Sequence, residues 1–237
     1  MRNILIHADM TSAMTARTEI ALQIGRRCNS HLNFVISSPY QQFIATDPFG
    51  GIYLAPDQLA KAQMRDTELE KSLGKVLNAN DVPWDDTIAE GTSLNSLSQA
   101  ASLSDLVIVS LGGRDRRGRA EWSLAADLAM TVPVPVLALP AESKVIDFDA
   151  PVMIAWNGSP QAAQALRSAV PLINSAQTVV MVQVGDNDGG LAAEDALKYL
   201  SRHNIHGELR LIDPGKETTA TALSNAAEEI EPGLIVM

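Results

Sequence analysis

The feature that most constrains this chain is an alternation between short apolar runs and longer segments with the hydrophobic spacing of a helix. The runs, such as Leu106 to Val109, are nearly continuous and have no regular placement of polar residues. Strands of that kind belong to parallel sheets that helices cover on both faces. The alternation therefore predicts an α/β fold, in which strands and crossover helices follow one another along the chain.

Five such runs lie in the first 140 residues, with helical segments between them. The predicted strands are Ile4 to Ala8, Leu32 to Ser37, Thr87 to Glu90, Leu106 to Ser110 and Val134 to Leu139. The predicted helices lie near residues 12–28, 56–79, 93–103 and 120–131. Residues 38–55 form an insertion rich in Pro, Gly and aromatic side chains. We interpret it either as a lid or partner surface, or as a loop packed over its own domain.

The pattern then restarts, which indicates an internal repeat. Val152 to Asn157 restates Ile4 to Asp9, with Asn157 at the place of Asp9. Further strands are predicted at Val179 to Val184, Glu208 to Ile212 and Leu234 to Met237, with helices near 160–174, 190–203 and 218–230. We therefore predict a first domain at 1–140, a linker at 141–150 and a second domain at 151–237.

The second copy of the repeat is shorter than the first, because it ends at its fourth strand. An apolar fourth strand without a further neighbour would leave unpaired backbone groups along one edge of its sheet. We expect that the natural chain continues beyond Met237 or that a partner covers this edge. The alternative is a complete protein with an open edge.

Charge and composition limit the compartment and the partners. Eighteen Lys and Arg against 28 Asp and Glu give a net charge of −10, and such a field repels the phosphates of nucleic acid and of anionic membranes. No apolar stretch approaches the roughly 18 residues of a membrane helix. The single Cys28 allows no internal disulfide. We expect a cytoplasmic protein that binds neither nucleic acid nor membranes.

Three segments have the form of known motifs. They are Ile154 to Pro160, similar to a first strand ending in Asp-Gly-Ser-Pro, Leu106 to Val109 with the loop at Gly112 and Gly113, and Pro133 to Leu137, similar to a Pro-x-Pro-Val-Leu segment at the last strand. Through these segments the chain resembles the universal stress protein family, and specifically its tandem members with two domains in one chain. The resemblance implies two doubly wound, parallel, five-stranded sheets of order 3-2-1-4-5, like the adenine nucleotide alpha hydrolases. The second sheet would lack its last helix and strand.

The same resemblance implies where a ligand would bind. Many family members hold an adenine nucleotide outside the carboxyl ends of the strands, where strands 1 and 4 diverge. An Asp after strand 1 and a residue late in strand 2 meet the nucleoside, and a Gly-x2-Gly-x9-Gly-Ser/Thr loop holds the phosphates. The candidate positions in this sequence are Asp9, Ser37, Gly112, Gly113, Gly118 and Ser123 in the first domain, and Asn157 and Val184 in the second.

The phosphate loop of the first domain departs from the family pattern. Trp122 stands where the last Gly belongs, and the loop from Gly112 to Ser123 is shorter than the motif. Ser37 replaces the usual Val late in strand 2. We therefore predict a degraded nucleotide site in the first domain, and we expect ATP or AMP, if either binds, in the second.

Four arginines in the same loop are candidates for binding a small anion by charge and bidentate hydrogen bonds. They are Arg114, Arg116, Arg117 and Arg119. The alternative is a solvated loop whose arginines pair with Asp115 and Glu121.

No catalytic or metal motif stands out. His7 and Asp9 point to the same face of a strand, but no Ser lies in a Gly-x-Ser-x-Gly turn, so we interpret His7 as a structural histidine. Asp9 also fits a turn acid ahead of the first helix. His203 and His206 have no carboxylate or Cys at ligand spacing, so we predict neither catalytic residues nor a metal site.

The resemblance implies a non-catalytic binding or regulatory role in the stress response. It also implies self-association through edge strands, either as a homodimer or between the two halves. The alternative function is an ATP- or AMP-binding protein with weak ATP hydrolysis, in which the loop arginines stabilise the transition state. A third hypothesis is a sensor of a small anionic ligand, closed by the aromatic insertion.

Overall fold

The computed structural model describes residues 1–40, 44–46, 52–54, 56–112, 124–141, 143, 145–186 and 189–237. The chain divides into two compact units, Met1–Val145 and Ile146–Met237. Each unit has its own parallel sheet with crossover helices. The doubly wound α/β fold predicted from the alternation is confirmed.

The first unit contains a five-stranded parallel sheet. Its elements are, in chain order, β1 (Asn3–Ala8), α1 (Ala13–Cys28), β2 (His31–Ser38), β3 (Ile44–Thr46), β4 (Ile52–Leu54), α2 (Pro56–Leu77), β5 (Trp84–Glu90), α3 (Ser93–Ala100), β6 (Leu106–Ser110), α4 (Leu124–Thr131) and β7 (Val136–Leu139). The strand order is β5-β2-β1-β6-β7, so the order 3-2-1-4-5 is confirmed. β1 and β6 are the neighbours at which this order reverses.

Strand alternation divides the core of the first unit between the two faces of the sheet. On one face, Leu5 and Val107 pack with Leu97 of α3 and Leu128 of α4 in one buried cluster. On the other face, α1 approaches the sheet so closely that a Cβ at Gly25 would lie 3.3 Å from the side chain of Leu32 in β2. Both faces of β1 are therefore covered, which explains its continuous apolar sequence.

The insertion at 38–55 contains an antiparallel hairpin that the sequence did not predict. In the hairpin β3 pairs with β4, with Ile44 opposite Leu54. The hydroxyl groups of Ser38 and Tyr40, which precede it, both donate hydrogen bonds to the same carboxylate oxygen of Asp66 on α2. These bonds fix the start of the insertion. Residues 41–43, 47–51 and 55 lie outside the described residues.

The second unit repeats the first four sheet strands of the first. Its elements are β8 (Val152–Ala155), α5 (Pro160–Ile173), β9 (Val179–Val184), α6 (Ala193–Ser201), β10 (Gly207–Ile212), α7 (Thr219–Ile230) and β11 (Leu234–Val236). The order β10-β9-β8-β11 corresponds to 3-2-1-4. A unit that lacks the last helix and strand of the repeat is thereby confirmed.

Two strand boundaries were predicted wrongly, for identifiable reasons. β5 begins at Trp84 rather than at Thr87, because it is an edge strand whose polar side chains, such as Asp85, face solvent and interrupt the apolar run. β7 begins at Val136 rather than at Val134, since Pro135 has no N–H to give to a strand ladder.

Candidate functional site

Asp9 directly follows β1 at the point where the strand order reverses. Its Oδ1 accepts hydrogen bonds from the backbone N–H of Thr11, at 3.0 Å, and from the Thr11 hydroxyl, at 2.5 Å. A side chain that bonds to the backbone two residues ahead makes a tight turn, and here that turn leads into α1. One of the two carboxylate oxygens is thus committed to local structure.

The other oxygen of Asp9 binds a buried arginine. Arg17 lies on α1 with 2% of its surface exposed. Its Nη1 and Nη2 atoms lie 3.3 and 3.2 Å from Asp9 Oδ2. A charge is rarely buried this deeply unless it has an opposite charge and further hydrogen bonds nearby.

Arg17 finds those further hydrogen bonds at the ends of two strands. Nε and Nη2 donate to the hydroxyl of Ser110, the last residue of β6, at 3.2 and 2.9 Å. Nη1 also donates to the backbone carbonyl of His7 in β1. The guanidinium group therefore connects α1 with β1 and β6 at the switch point.

Sequence analysis identified neither Arg17 nor Ser110. Arg17 lies in the buried stripe of α1, one turn after Ala13 and one turn before Ile20 and Ala21. A charged residue inside an apolar helical stripe is the signal that was available, since buried charges require partners. The identity of the partners depends on the folded chain.

His7 lies beside the ion pair and stays neutral at physiological pH. Its Nδ1 is 3.4 Å from Asp9 Oδ2, and 12% of its side chain is exposed. Burial lowers the pKa of His7 to about 4; the Asp9 carboxylate opposes this shift, and the positive charge of Arg17 adds to it. An imidazole in this state does not change charge near neutral pH.

The ion pair also fixes the charge of Asp9. Burial pushes the pKa of its carboxyl group up, but the Arg17 charge and the hydrogen bonds from Thr11 outweigh burial and hold the pKa below its usual range. Asp9 is consequently a carboxylate with a cation already attached to it.

The remaining candidates of the first unit divide into two groups. Ser37 lies near the end of β2, and its Oγ is buried without a hydrogen-bond partner among the described residues. Gly112 lies exposed just beyond β6. The others lie outside the described residues, so the degraded phosphate loop and the anion site stay predictions: Gly113, Arg114, Arg116, Arg117, Gly118, Arg119 and Ser123.

The second unit has the same turn after its first strand. Asn157 Oδ1 accepts a hydrogen bond from the backbone N–H of Ser159 at 3.1 Å, as Asp9 does from Thr11. Ser159 then caps α5, because its Oγ accepts from the N–H of Ala162 at 3.1 Å. The two turns are offset by 148 residues (157 − 9 and 159 − 11).

The same offset shows what the second turn lacks. It places Ala155 at the position of His7 and Ala165 at the position of Arg17. Asn157 is exposed, and its amide nitrogen has no hydrogen-bond partner among the described residues. The turn is therefore conserved between the two units, while the ion pair is present only in the first.

Two hydrogen bonds join the segment after β9 to this second turn. Trp156 Nε1 donates to the carbonyl of Leu191 at 3.1 Å, and the Leu191 N–H donates to the carbonyl of Gly158 at 2.9 Å. Val184 ends β9 and is half-buried. Because β8 and β9 are parallel neighbours, Asn157 and Val184 lie at the same edge of the sheet, where the carboxyl ends of the two strands meet.

Two properties of the described residues bear on other classes of function. No group of three or more His, Cys, Asp or Glu side chains among them has the arrangement of a metal site. Within the same residues, no helix combines the length and the apolar character needed to cross a membrane.

The fold is that of solved universal stress protein structures. One such protein, from Archaeoglobus fulgidus DSM 4304, matches 98% of this chain and 85% of its own, with 13% identity and a TM-score of 0.72. A putative universal stress protein from Pseudomonas aeruginosa UCBPP-PA14 matches 99% of this chain and 81% of its own, with 14% identity and a TM-score of 0.60. A family protein from Arabidopsis thaliana with AMP bound matches 59% of this chain and 92% of its own, with 12% identity and a TM-score of 0.42. No protein-family model and no curated protein matches the sequence.

Proposed function

We propose that the chain is a tandem member of the universal stress protein family with a non-catalytic, ligand-binding role in the stress response. Two independent facts support family membership. The fold matches a universal stress protein over 98% of this chain with a TM-score of 0.72. The segment Ile154 to Pro160 resembles the family's first strand and turn.

The nucleotide site of the first unit is the degraded one. One observation carries this proposal: both carboxylate oxygens of Asp9 already accept hydrogen bonds from the protein, Oδ1 from Thr11 and Oδ2 from Arg17. A ribose hydroxyl or an adenine amine would have to displace one of them. Displacing Arg17 would leave a buried cation without its partner, which is strongly unfavourable.

An adenine nucleotide, ATP or AMP, binds in the second unit. Asn157 is exposed, and its amide nitrogen has no hydrogen-bond partner among the described residues. It can therefore donate a hydrogen bond to a ligand. Val184, half-buried at the end of the neighbouring strand, offers an apolar surface for a base. An amide both donates and accepts, so it suits a nucleoside without supplying a negative charge.

The role is binding rather than turnover. The imidazole of His7 lies beside the Asp9 carboxylate at the switch point, and no hydroxyl or thiol among the described residues is hydrogen-bonded to it. A neutral imidazole with no nucleophile in reach cannot begin acyl or phosphoryl transfer by the usual route. We place the protein in the cytoplasm, as its charge and composition suggest.

Self-association through edge strands belongs to the same proposal. β7 and β11 each pair with a single strand among the described residues. Strand edges of that kind can pair with another copy of the chain.

Titration calorimetry with AMP and ATP tests the proposed function. We expect one nucleotide per chain, binding that is lost in Asn157→Ala, and binding that is retained in the control Asn95→Ala, an exposed asparagine of the first unit. Phosphate release measured on the same samples should be absent. Two nucleotides per chain, unchanged binding in Asn157→Ala, or steady ATP turnover would contradict the proposal.

A further inference from the structure

The guanidinium group of Arg17 is fully used by the protein itself. An arginine side chain has five N–H donors. Those of Arg17 make two bonds to Asp9 Oδ2, two to the Ser110 hydroxyl and one to the His7 carbonyl, and Nη1 also lies 3.6 Å from Met14 Sδ. A saturated, buried guanidinium group has no donor left for a ligand. Any molecule that used Asp9 would first have to break this set of bonds.

The position of the group matters as much as its bonds. In open α/β sheets, ligands bind in the crevice between the two strands at which the order reverses. β1 and β6 are those strands in the first unit. Arg17 bonds to the carboxyl end of both, through His7 and Ser110. The guanidinium group therefore lies at the two strand ends that border the crevice a ligand would need.

The second unit shows that the turn does not require this arginine. Asn157 and Ser159 make the same turn with Ala165 at the position of Arg17. The ion pair and its neighbouring imidazole are replaced together, because Ala155 and Asn157 stand for His7 and Asp9. We propose that Arg17 is a specificity-determining residue, which keeps the switch point of the first unit closed to an adenine nucleoside. The choice of nucleoside rests on the proposed function.

The test compares two variants with a control on the same helix. Arg17→Ala opens the crevice and leaves Asp9 in place. The triple variant His7→Ala, Asp9→Asn, Arg17→Ala copies the second unit and leaves no unpaired charge. Arg26→Ala is the control, because Arg26 also lies on α1 but makes an exposed ion pair with Asp81, at 3.0 Å.

The probe is adenosine, which has no phosphate and so does not depend on the phosphate loop. Hydrogen exchange is followed in two peptides, residues 8–14 of the first unit and residues 156–162 of the second. We expect adenosine to protect 8–14 in Arg17→Ala or in the triple variant, with a gain in affinity of about tenfold or more over the unmodified protein. The unmodified protein and Arg26→Ala should show no protection there.

Several results would overturn the proposal. One is that adenosine slows hydrogen exchange of residues 8–14 in the unmodified protein. Another is that adenosine slows it in neither Arg17→Ala nor the triple variant, although the variants fold. Failure of both variants to fold would make Arg17 a requirement of the fold and would overturn it as well. The proposed function fails separately, by absence of AMP protection at 156–162 in the unmodified protein.

Discussion

The two units build the same turn after their first strand, but the turn of the first unit carries an ion pair and that of the second is uncharged. In the first, the carboxylate of Asp9 makes the turn and is paired with the buried Arg17. In the second, Asn157 makes the turn through its amide oxygen, and Ala165 stands at the position of the arginine. The comparison teaches that the turn requires only a side-chain oxygen at its first position. The ion pair is an addition to the turn and not a condition for it.

A buried ion pair is also an all-or-none arrangement. Removing one partner strands the other charge, whereas replacing the whole set by neutral residues costs little. The first unit has the ion pair, and the second unit has neutral residues at both equivalent positions, Asn157 and Ala165. The following experiments break or sharpen that contrast.

The largest effect is expected from removing the arginine alone. Arg17→Ala strands the Asp9 carboxylate, which is 22% exposed, and should lower the free energy of unfolding by about 3 kcal/mol. The triple variant His7→Ala, Asp9→Asn, Arg17→Ala should lose clearly less than the single variant. Urea denaturation measures both. An equal or larger loss in the triple variant would show that the set is not electrostatically coupled.

A reciprocal exchange at the first turn position should act in one unit only. Asp9→Asn keeps the oxygen that accepts from Thr11 but leaves the buried Arg17 without an opposite charge. We expect the free energy of unfolding to fall by about 2 to 3 kcal/mol. Asn157→Asp keeps the oxygen that Ser159 needs and adds a charge at an exposed site, so we expect a change of less than about 1 kcal/mol. Thermal denaturation of the pair checks this. Equal losses would remove the distinction between the two turns.

The pH dependence of stability should come from the first unit. The pKa of His7 in the folded protein, about 4, lies below its ordinary value near 6.5, so the unfolded chain binds more protons between these values. Stability should therefore fall as the pH is lowered through this window, by about 2 kcal/mol at pH 5. The depressed pKa of Asp9 should add a further loss below about pH 4.

His7→Ala is the matched variant for this measurement. It copies Ala155 of the second unit and should remove the loss between pH 6.5 and pH 5 while leaving the later loss in place. An unchanged pH profile in His7→Ala would mean that the charge of His7 does not couple to folding.

The smallest effect concerns the second strand of each sheet. The strand registers pair Ile4 with Leu32 and Val152 with Val179, so Ser37 corresponds to Val184. Ser37→Val replaces a buried hydroxyl that has no hydrogen-bond partner by the valine that the second unit has at Val184. We expect the free energy of unfolding to rise by about 1 kcal/mol. The control is Ser30→Ala, because the Ser30 hydroxyl donates a hydrogen bond to the carbonyl of Met1. Its free energy of unfolding should fall by about 1 kcal/mol. A loss in both variants would contradict the comparison.

The sequence predicted the fold well where burial dictates composition. Leu106–Ser110 and Val179–Val184 were predicted to the residue, because a continuous apolar run bounded by turn residues has few other uses in an α/β chain. The repeat also identified Asp9 and Asn157 as equivalent turn residues. The edge strands were predicted with less exact bounds, as the start of β5 shows, and the hairpin at 38–55 was missed, since their residues need not be apolar on both faces.

The state of the site could not be predicted in the same way. Asp9 was recognised as a candidate, but whether it is free depends on Arg17, eight residues further along, and on Ser110, which is 93 residues away from Arg17. Such a partnership arises from tertiary packing, in which a side chain inside the apolar stripe of a helix meets the ends of two strands. No local pattern encodes it.

A crystal structure of the full chain grown with saturating AMP tests the central claim most directly. We expect density for AMP beside Asn157, and an unchanged first unit in which Arg17 Nη2 remains about 3.2 Å from Asp9 Oδ2. Density for AMP between the ends of β1 and β6, with Asp9 released from Arg17 and bonded to the nucleoside, would contradict the account.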